Sequence, residues 1–354
     1  MPTIQAEPLR RLVSTIFAKA GSKPDEAALI ARRLVDSNLV GHDSHGIVRV
    51  PAYIRWLGEG KVVPNQHVKV ITEGDAFTIL DGQAGFGQVI GGEAMDIGLA
   101  KAKKAGIAMV SLRHVHHLGR IGDWAEYCAE RGVVSIHFVN GVHLGWIVAP
   151  FGGIERRMTT NPFCCGMPVE GGEPVILDMA TSKIAEGKNQ VARNKGVEVP
   201  PGSLIDAQGR ETRDPNQLYA SPPGALLPFG DHKGYGLAVF CDLLAGALGG
   251  GGANHDGYAN KGQVLNNMLS ILIDPRVVGA TSMNEEAKRF VAWLKSSAPR
   301  EGETVMVPGD PERRSRAARL RDGIPVDDKT WSDLIACAGA SGLADAEVKR
   351  LLAA

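Results

Sequence analysis

The sequence has no excess of charge of either sign, no long apolar run and no secretion signal. Its 39 lysines and arginines balance 39 aspartates and glutamates. Because phosphate backbones are bound by basic surfaces, we expect no nucleic-acid partner. No stretch is long and apolar enough to span a bilayer, and no basic start is followed by an apolar segment. We therefore expect no membrane partner and a cytoplasmic location.

Cysteine and aromatic residues are also scarce. The five cysteines have no regular spacing, which is typical of a reducing compartment and excludes a disulfide scaffold. We interpret the adjacent Cys164 and Cys165 as a buried apolar pair, not as a redox pair. Aromatic residues make up 5% of the chain, but hydrophobic residues make up 44%. That content suffices for a sizeable core, and the length suits roughly two domains.

Glycine is abundant, with 44 residues, and one glycine pattern is close to a dinucleotide-binding fingerprint. Gly85, Gly87 and Gly91 lie between a predicted strand and a predicted helix. The preceding strand is too polar for a buried parallel strand, since it carries Thr78 and ends at Asp81. The next strand ends without the acidic residue that binds a ribose. The pattern therefore does not favour a Rossmann fold.

The spacing of apolar residues predicts helices at both ends of the chain and an alternation of strands and helices between them. Helices are predicted over 7–19, 24–40, 48–57, 94–104, 122–130, 232–248, 312–320, 330–338 and 345–352. Strands are predicted over 68–71, 77–80, 107–112, 133–139, 175–177 and 268–273. This order predicts an α/β (α+β) fold with a mixed sheet, in which one discontinuous helical domain holds both termini.

The segment Gly41–Arg49 brings together the groups that a hydroxy-acid dehydrogenase needs. Ser44 and His45 are adjacent, and Arg49 and Tyr53 follow. Histidine titrates near neutral pH and can exchange a proton with an alcohol. Arginine presents a planar fork that matches a carboxylate.

A second histidine cluster follows the strand predicted over 107–112. His114, His116 and His117 lie where a strand gives way to a helix, a usual place for catalytic loops. Three histidines in four residues also suit zinc, although no acidic or cysteine ligand follows nearby. A catalytic, a zinc-binding and a structural role all remain open at this point.

Three predicted helix starts are candidate phosphate or carboxylate sites. One is a strand that runs through Asp178 into a helix reaching to Arg193, with Thr and Ser at its start. Another is His232 with Lys233. In the third, Asp310 is predicted as the N-cap and the following proline as the first helical residue. An ordinary capped or solvated helix explains each of them equally well.

Several short motifs occur together in one order along nearly the whole chain. They are G-H-D-S-H-G at Gly41, D-G-x-x-G-F-G-Q at Asp81, H-H-x-G at His116, T-N-P at Thr160, L-D-x-A-T-S at Leu177, H-K-G-Y at His232 and P-G at Pro308. In this order they resemble the malate/L-lactate dehydrogenase family, whose members lack a Rossmann fold. The resemblance is nearest to the bacterial hydroxycarboxylate dehydrogenases of the hydroxyphenylpyruvate-reductase kind.

The resemblance implies a mixed-sheet domain that binds NAD or NADP, inserted in a helical domain, and a homodimer. The helical domain would comprise residues 1–65 and 281–354, and the cofactor domain residues 66–280. The glycine pattern at 85–91 would then be a structural turn. The implied activity is hydride transfer between a nicotinamide and C2 of a 2-hydroxy or 2-oxo carboxylic acid.

The resemblance also assigns site residues. Ser44, His45 and His117 match catalytic positions, and Arg49, Tyr53 and Thr160 match substrate contacts. Cofactor contacts carry over to His45, Gly119, Arg120, Ile121, Ile176, Leu177, Asp178, Met179, Ala180, Lys188, His232, Lys233, Asn266, Gly309, Asp310, Pro311 and Glu312. No metal is implied. Imino-acid reductases of the family have an aspartate where this chain has Lys188, which weakens the prediction of imine reduction.

The sequence thus predicts an NAD(P)-dependent 2-hydroxycarboxylate dehydrogenase in which His117 or His45 carries the proton. One alternative is a reductase of a cyclic imino acid or of a ureidoglycolate-type substrate. A second is a zinc-dependent hydrolase that uses His114, His116 and His117. A third is a ligand-binding relative without chemistry, against which the joint presence of the serine, histidine and arginine residues argues.

Overall fold

The computed structural model describes residues 1–143, 145–257 and 262–353. Its α-helices are α1 (Ala6–Lys19), α2 (Pro24–Leu39), α3 (Val50–Gly58), α4 (Gly87–Ala105), α5 (Gly122–Ala129), α6 (Glu186–Lys195), α7 (His232–Cys241), α8 (Met283–Lys295), α9 (Asp310–Asp322), α10 (Asp328–Ala340) and α11 (Asp345–Ala353). The 3-10 helices are Asp43–His45, Ile47–Arg49 and Pro215–Tyr219, and Asp242–Leu248 is π-helical.

The strands form one large mixed sheet and two small sheets. They are β1 (Thr3–Ile4), β2 (Lys69–Glu73), β3 (Phe77–Asp81), β4 (Ile107–His116), β5 (Val134–Val142), β6 (Phe163–Met167), β7 (Val175–Met179), β8 (Leu204–Ile205), β9 (Glu211–Thr212), β10 (Ala225–Leu226), β11 (Leu265–Ile273) and β12 (Ile324–Pro325). The seven-stranded sheet has the order β2-β3-β4-β11-β5-β6-β7. Only its β3–β4 pair is parallel, and α4 makes the crossover between these two strands. The expected mixed sheet is confirmed.

The helices from the two ends of the chain share one core. Leu9, Ile16 and Phe17 of α1 pack with Leu334 of α10 and Val348 of α11, all of them buried. Each such side chain contributes roughly 1.5–3 kcal/mol when it leaves water. Strand β1 pairs with β12 in the same region. A second core underlies the large sheet, and smaller ones lie near β8 and β10. The domain limits at 65 and 280 stay predictions.

Helix α9 holds the 41–49 segment in place. His42 Nε2 lies 3.1 Å from Glu312 Oε1. Arg319 donates to the backbone oxygen of Asn38 and to both carboxylate oxygens of Asp43. The segment is thereby turned toward the loop that follows β4.

Several predicted elements have different limits. Helix α4 begins at Gly87, seven residues before its predicted start at 94, so the glycine pattern lies largely in a helix and only partly in a turn. Helix α6 begins at Glu186, not after Ser182. The hydroxyls of Thr181 and Ser182 donate to the backbone oxygens of Thr160 and Ile184, so they do not cap a helix.

Two further differences concern the C-terminal third. Helix α8 was not predicted, and none of its residues is buried. The N-cap of α9 is Gly309, with φ +97°, and not Asp310. Asp310 is the first helical residue, and its Oδ2 accepts a hydrogen bond from the backbone N–H of Val307 at 3.0 Å.

Two expectations about composition can be compared with the structure. Within the ranges listed above, no helix combines the length and the apolarity that a membrane crossing needs. All five cysteines are free. Cys164 is buried and Cys165 is partly buried, and burial raises the pKa of both thiols. A raised thiol pKa is typical of structural, unreactive cysteines.

Candidate active site

The 41–49 segment forms two short 3-10 helices that present polar side chains on one side. Ser44 Oγ lies 3.0 Å from His45 Nδ1. The Nε of Arg49 donates to the backbone oxygen of Ser44 at 2.6 Å. This bond fixes the base of the guanidinium and leaves its Nη edge for a ligand.

The two candidate catalytic histidines meet although they come from distant parts of the chain. The rings of His45 and His117 are stacked, with centroids 5.6 Å apart and an interplanar angle of 17°. His117 follows β4 directly, and His45 ends the first 3-10 helix. The tertiary fold therefore makes one site of the two motifs.

A chain of hydrogen bonds lies behind His117. Tyr53 Oη lies 2.5 Å from His117 Nδ1, and Gln88 Nε2 donates to Tyr53 Oη at 3.1 Å. Tyr53 is fully buried and packs edge-on against the rings of His116 and His117. The structure thus places Tyr53 behind His117, whereas the resemblance assigns it to the substrate pocket.

Burial and positive charge keep both stacked rings neutral. Burial, followed by the charge of Arg49, lowers the pKa of His45 to about 3. The same two causes, in the same order, hold the pKa of His117 well below its usual value. Burial raises the pKa of Tyr53 to about 12. At neutral pH the site therefore holds two neutral imidazoles, a protonated tyrosine and a cationic arginine.

The three clustered histidines have separate environments. His114 Nδ1 lies 3.0 Å from Asp81 Oδ2. His116 is fully buried among Tyr53, Trp56 and Phe86. Only His117 reaches the site of Arg49. In the part of the chain that the structure describes, no group of three or more His, Cys, Asp or Glu side chains could hold a metal ion, so the geometry gives no support to the zinc hydrolase.

The loop after His117 is tied to the cofactor-domain residues that the resemblance names. Arg120 is buried and pairs with Asp123 at 3.0 Å and with Glu126 at 2.8 Å. Asp178 Oδ2 lies 3.7 Å from Arg120 Nε and accepts the backbone N–H of Gly122 at 2.9 Å. These charged side chains are committed to protein partners, so they shape the loop and do not project from it.

A cavity of about 500 Å³ lies beside this cluster. Three predicted cofactor contacts line it, namely Ile176, Gly309 and Glu312. Arginines from α2 and α9, including Arg32 and Arg316, also line it. Carboxylates line it in similar number, among them Asp36 and Asp123. The cavity has the size for part of a nucleotide, and its arginines are the groups that would meet a phosphate.

The remaining predicted residues lie at several places. Asn266 Oδ1 accepts the backbone N–H of Leu118 at 2.9 Å, next to His117. The backbone oxygen of Thr160 accepts from Thr181. His232 and Lys233 lie exposed at the start of α7, and Lys188 lies exposed on α6. Of the others, Ile121 is buried, Leu177, Met179 and Ala180 are partly buried, and Pro311 is exposed.

Gly187 places the start of α6 against the Ser44–His45 pair. A Cβ atom at Gly187 would lie only 2.5 Å from Ser44 Cβ. The segment that carries Lys188 therefore borders the site, and the Lys188 side chain is exposed.

A comparison of the sequence with protein-family models settles its family. The model described as malate/L-lactate dehydrogenase matches residues 4–335. The chain belongs to this family. The resemblance seen in the sequence motifs is thereby confirmed.

Members of the malate/L-lactate dehydrogenase family match the chain over nearly its whole length. Hydroxycarboxylate dehydrogenase B of Escherichia coli is 43% identical over 96% of this chain and 94% of its own. A Delta(1)-pyrroline-2-carboxylate/Delta(1)-piperideine-2-carboxylate reductase of Pseudomonas syringae is 32% identical over 92% and 93%. The structure of sulfolactate dehydrogenase from Methanocaldococcus jannaschii matches with a TM-score of 0.86 and 31% identity, covering 99% of both chains.

The glycine pattern of this family member packs against protein. A Cβ at Gly87 would lie 2.3 Å from the backbone oxygen of His117, and one at Gly91 would lie 2.5 Å from the Trp124 ring. The glycines thus let α4 approach α5 and the loop after β4. Only a residue without a side chain permits this contact.

Sequence reasoning missed Gln88, which the structure brings to the site. It is the second residue of α4, is almost fully buried, and reaches Tyr53. The motif D-G-x-x-G-F-G-Q that begins at Asp81 ends at Gln88, but the motif alone gives this glutamine no role. Its contact with Tyr53 forms only when the fold brings α4 and α3 together.

Proposed function

We propose that the chain is an NAD(P)-dependent 2-hydroxycarboxylate dehydrogenase for substrates of the malate, lactate or hydroxyphenylpyruvate type. The observation that carries the proposal is the juxtaposition of Arg49 with the stacked His45 and His117. A carboxylate clamp and a proton carrier in one crevice are what oxidation of a 2-hydroxy acid requires.

Arg49 would hold the substrate carboxylate. Its Nε is already bound to the Ser44 carbonyl, so the guanidinium is oriented before a ligand arrives. The remaining Nη donors match the two oxygens of a carboxylate, a geometry that lysine does not offer. Pre-orientation of this kind lowers the entropy lost on binding.

His117 would exchange the proton, with His45 stacked beside it. In the oxidative direction a neutral imidazole accepts the hydroxyl proton, and the lowered pKa of His117 keeps it neutral. In the reductive direction, a carboxylate on Arg49 would offset the positive charge that disfavours imidazolium. The nicotinamide, when bound, supplies or accepts the hydride at C2.

The cofactor would be held along the cavity of about 500 Å³. Its walls would come from Ile176, near the start of β7, and from Gly309 and Glu312 at the start of α9. Among the charged residues that line this cavity, the arginines would meet a phosphate. Both NAD and NADP are compatible with this charge pattern, so both belong in the test.

A direct assay tests the proposal. Purified protein is mixed with NADH or NADPH and with pyruvate, oxaloacetate, 2-oxoglutarate or hydroxyphenylpyruvate, and the nicotinamide absorbance is followed. We expect turnover of at least one pair. Absence of turnover with every pair, in protein shown to be folded, would overturn the proposal.

A second candidate is reduction of a cyclic imino acid, the reaction named for the Pseudomonas syringae relative. Ser44 and His45 are hydrogen-bonded as a relay would require. The third member of that relay is an aspartate at the position of Lys188, which α6 places beside Ser44 through Gly187. The lysine therefore favours the hydroxy acid, and adding a cyclic imino acid to the assay decides between them.

We also propose that the protein is a cytoplasmic homodimer. Helix α8 supports a partner surface, because Phe290 and Trp293 are 61% and 74% exposed on one helical face together with Leu294. Exposed apolar patches of this kind mark interaction sites. Light scattering of the purified protein, compared with a Trp293→Glu variant, measures the mass of the assembly.

A further inference from the structure

Gln88 is not among the predicted site residues, yet it donates a hydrogen bond to Tyr53. The amide nitrogen lies 3.1 Å from Tyr53 Oη, and Tyr53 Oη lies 2.5 Å from His117 Nδ1. Both Gln88 and Tyr53 are excluded from solvent. Gln88, Tyr53 and His117 therefore form a linear series of two hydrogen bonds, and each hydrogen bond contains one proton.

The observed orientation of the amide fixes the tautomer of His117. An amide nitrogen only donates, so Tyr53 Oη accepts from Gln88 and directs its own proton to His117 Nδ1. His117 Nδ1 is then an acceptor, and the proton of the neutral ring resides on Nε2. In that tautomer Nε2 has no lone pair with which to take a proton from a substrate hydroxyl.

The carbonyl oxygen of Gln88 offers the opposite arrangement. Oε1 is buried and has no hydrogen-bond partner among the residues described, although buried carbonyl oxygens are rarely unpaired. If the amide turns over, Oε1 accepts the Tyr53 proton. Tyr53 Oη then accepts from a proton on His117 Nδ1, and Nε2 is left with its lone pair free.

We propose that Gln88 is a positioning residue whose amide orientation selects, through Tyr53, the tautomer of His117 and thereby its readiness to act as base or acid. The proposal rests on the proposed function of His117. With Oε1 toward Tyr53, neutral His117 takes the hydroxyl proton on Nε2 as the C2 hydride leaves. The imidazolium so formed keeps its Nδ1 proton hydrogen-bonded to Tyr53. In the reverse direction Nε2 returns the proton to the oxo oxygen.

Other groups that face His117 set the charge around this series. They are Arg49 and His45 from the 3-10 segments, Tyr53 from α3 and His116 from β4. Gln88 also lines a cavity of about 260 Å³ together with Arg32 and Arg33. The cavity gives the amide room, and its lining carries carboxylates as well as guanidinium groups, namely those of Asp25, Glu26, Glu93 and Asp96.

We expect two substitutions at position 88 to give opposite tautomers of His117. In Gln88→Glu the carboxylate only accepts, so Tyr53 must direct its proton to it and His117 must carry a proton on Nδ1. In Gln88→Met no acceptor remains except His117 Nδ1, so the ring is held with its proton on Nε2. Tyr53→Phe removes the link and makes position 88 irrelevant to His117.

The test is ¹⁵N NMR of histidine-labelled full-length protein at pH 8, with His117→Ala used to assign its signals. We expect the Nε2–H tautomer in the wild type and in Gln88→Met, and a protonated Nδ1 in Gln88→Glu. Gln208→Met, at an exposed turn residue, should leave the shifts unchanged. Identical His117 shifts in the wild type and Gln88→Glu would overturn the proposal, whether or not any substrate is turned over.

Kinetics supply the second readout. With a substrate found in the assay, Gln88→Met should lower kcat by about 10²-fold with little change in KM. In the reductive direction, the apparent pKa in the pH profile of kcat should be lower in Gln88→Met than in the wild type. In Gln88→Glu it should be higher. A merely structural role would shift both in the same direction, and that result would overturn the proposal. Failure of every substrate would instead count against the proposed function alone.

Discussion

The asparagines that contact Asp242 are all hydrogen-bonded to it, whereas several buried polar groups around His117 have no partner among the residues described. Asp242 accepts from the amide groups of Asn140 at 2.8 Å, Asn161 at 2.7 Å and Asn254 at 3.1 Å. Near His117, both ring nitrogens of His116 and the Gln88 carbonyl are buried without a partner among the residues described. A fully paired network has a single arrangement of its hydrogen bonds. Unpaired donors and acceptors allow a proton to change its position.

Hydrogen bonds join the Asp242 cluster to the region around His117, and the fully paired Asp242 cluster supports that region. Asn267 donates to Asn140 Oδ1 at 2.9 Å, and its own Oδ1 accepts the backbone N–H of His114 at 3.0 Å. Asn266 holds the N–H of Leu118 in the same way. The backbone on both sides of His117 is therefore held by the Asp242 cluster, whereas we propose that Gln88 and Tyr53 set the tautomer of its ring.

The largest effect we expect is that of His117→Ala on catalysis. One positioned acid/base group is worth ~10²–10⁴ in rate, so kcat should fall by that factor while cofactor binding and the unfolding midpoint stay near the wild type. Steady-state kinetics, nicotinamide fluorescence titration and denaturation measure the three. His67→Ala, which removes an exposed histidine, is the control. An unchanged kcat would remove His117 from its role.

Asp242→Asn should show the reverse pattern, with its main effect on stability. Asparagine keeps only one acceptor oxygen. Either Asn140, which bonds to Oδ1, or Asn161, which bonds to Oδ2, therefore faces the new NH2 group and loses its acceptor. Unpaired buried groups cost about 1–3 kcal/mol each, so we expect the free energy of unfolding to fall by about 3 kcal/mol in chemical denaturation. Asp75→Asn, at an exposed carboxylate, is the matched control. Equal stability of the two variants would contradict the role assigned to the cluster.

Because the ring of His116 is buried without a hydrogen-bond partner among the residues described, we expect the stability of the folded protein to fall in acid. Burial lowers its pKa from 6.5 to about 3, so between these values the unfolded chain binds a proton that the folded protein does not. Stability is therefore complete above pH 6.5 and is lost as the pH falls toward 3. From pH 7 to 5 the loss from this group is about 2 kcal/mol.

The variant His116→Leu measures that contribution. Its unfolding free energy, followed by denaturation at pH 7 and pH 5, should decline less than that of the wild type by the same amount. His67→Leu, which changes an exposed histidine, should not reduce the decline. Parallel declines of the wild type and His116→Leu would show that His116 is protonated in the folded protein.

The smallest expected effect concerns substrate affinity. Arg49→Lys keeps the charge and loses the bidentate geometry, so KM for the 2-oxo acid should rise by roughly 10-fold with kcat less affected. Arg55→Lys, on the exposed side of α3, is the control. Kinetics of Arg49→Lys indistinguishable from the wild type would exclude Arg49 as the carboxylate clamp.

The sequence allowed prediction of those elements whose periodicity is local. Helices α1 and α2 agree with the predicted ranges within one residue, because their apolar residues face one core. The start of α4 at Gly87 was not predictable, since glycine is a poor helix former and the reason for it is the distant His117 backbone. Helix α8 was missed because its apolar face is exposed and adds nothing to the core pattern.

The candidate site, like the fold, was predictable only where its residues lie close together in the sequence. Ser44, His45 and Arg49 lie within six residues and were read directly from the chain. The stacking of His45 on His117 came only with the fold, although the resemblance had named both. The path from His117 through Tyr53 to Gln88 crosses α3, α4 and the end of β4, and no local pattern encodes a contact among three elements.

The sharing of one core by both ends of the chain has a consequence for biosynthesis. Helices α1 and α2 are translated long before Leu334 and Val348, which complete their core. The large sheet, whose strands lie between residues 69 and 273, is translated in the interval. The apolar faces of α1 and α2 must therefore stay uncovered until α10 and α11 have been made.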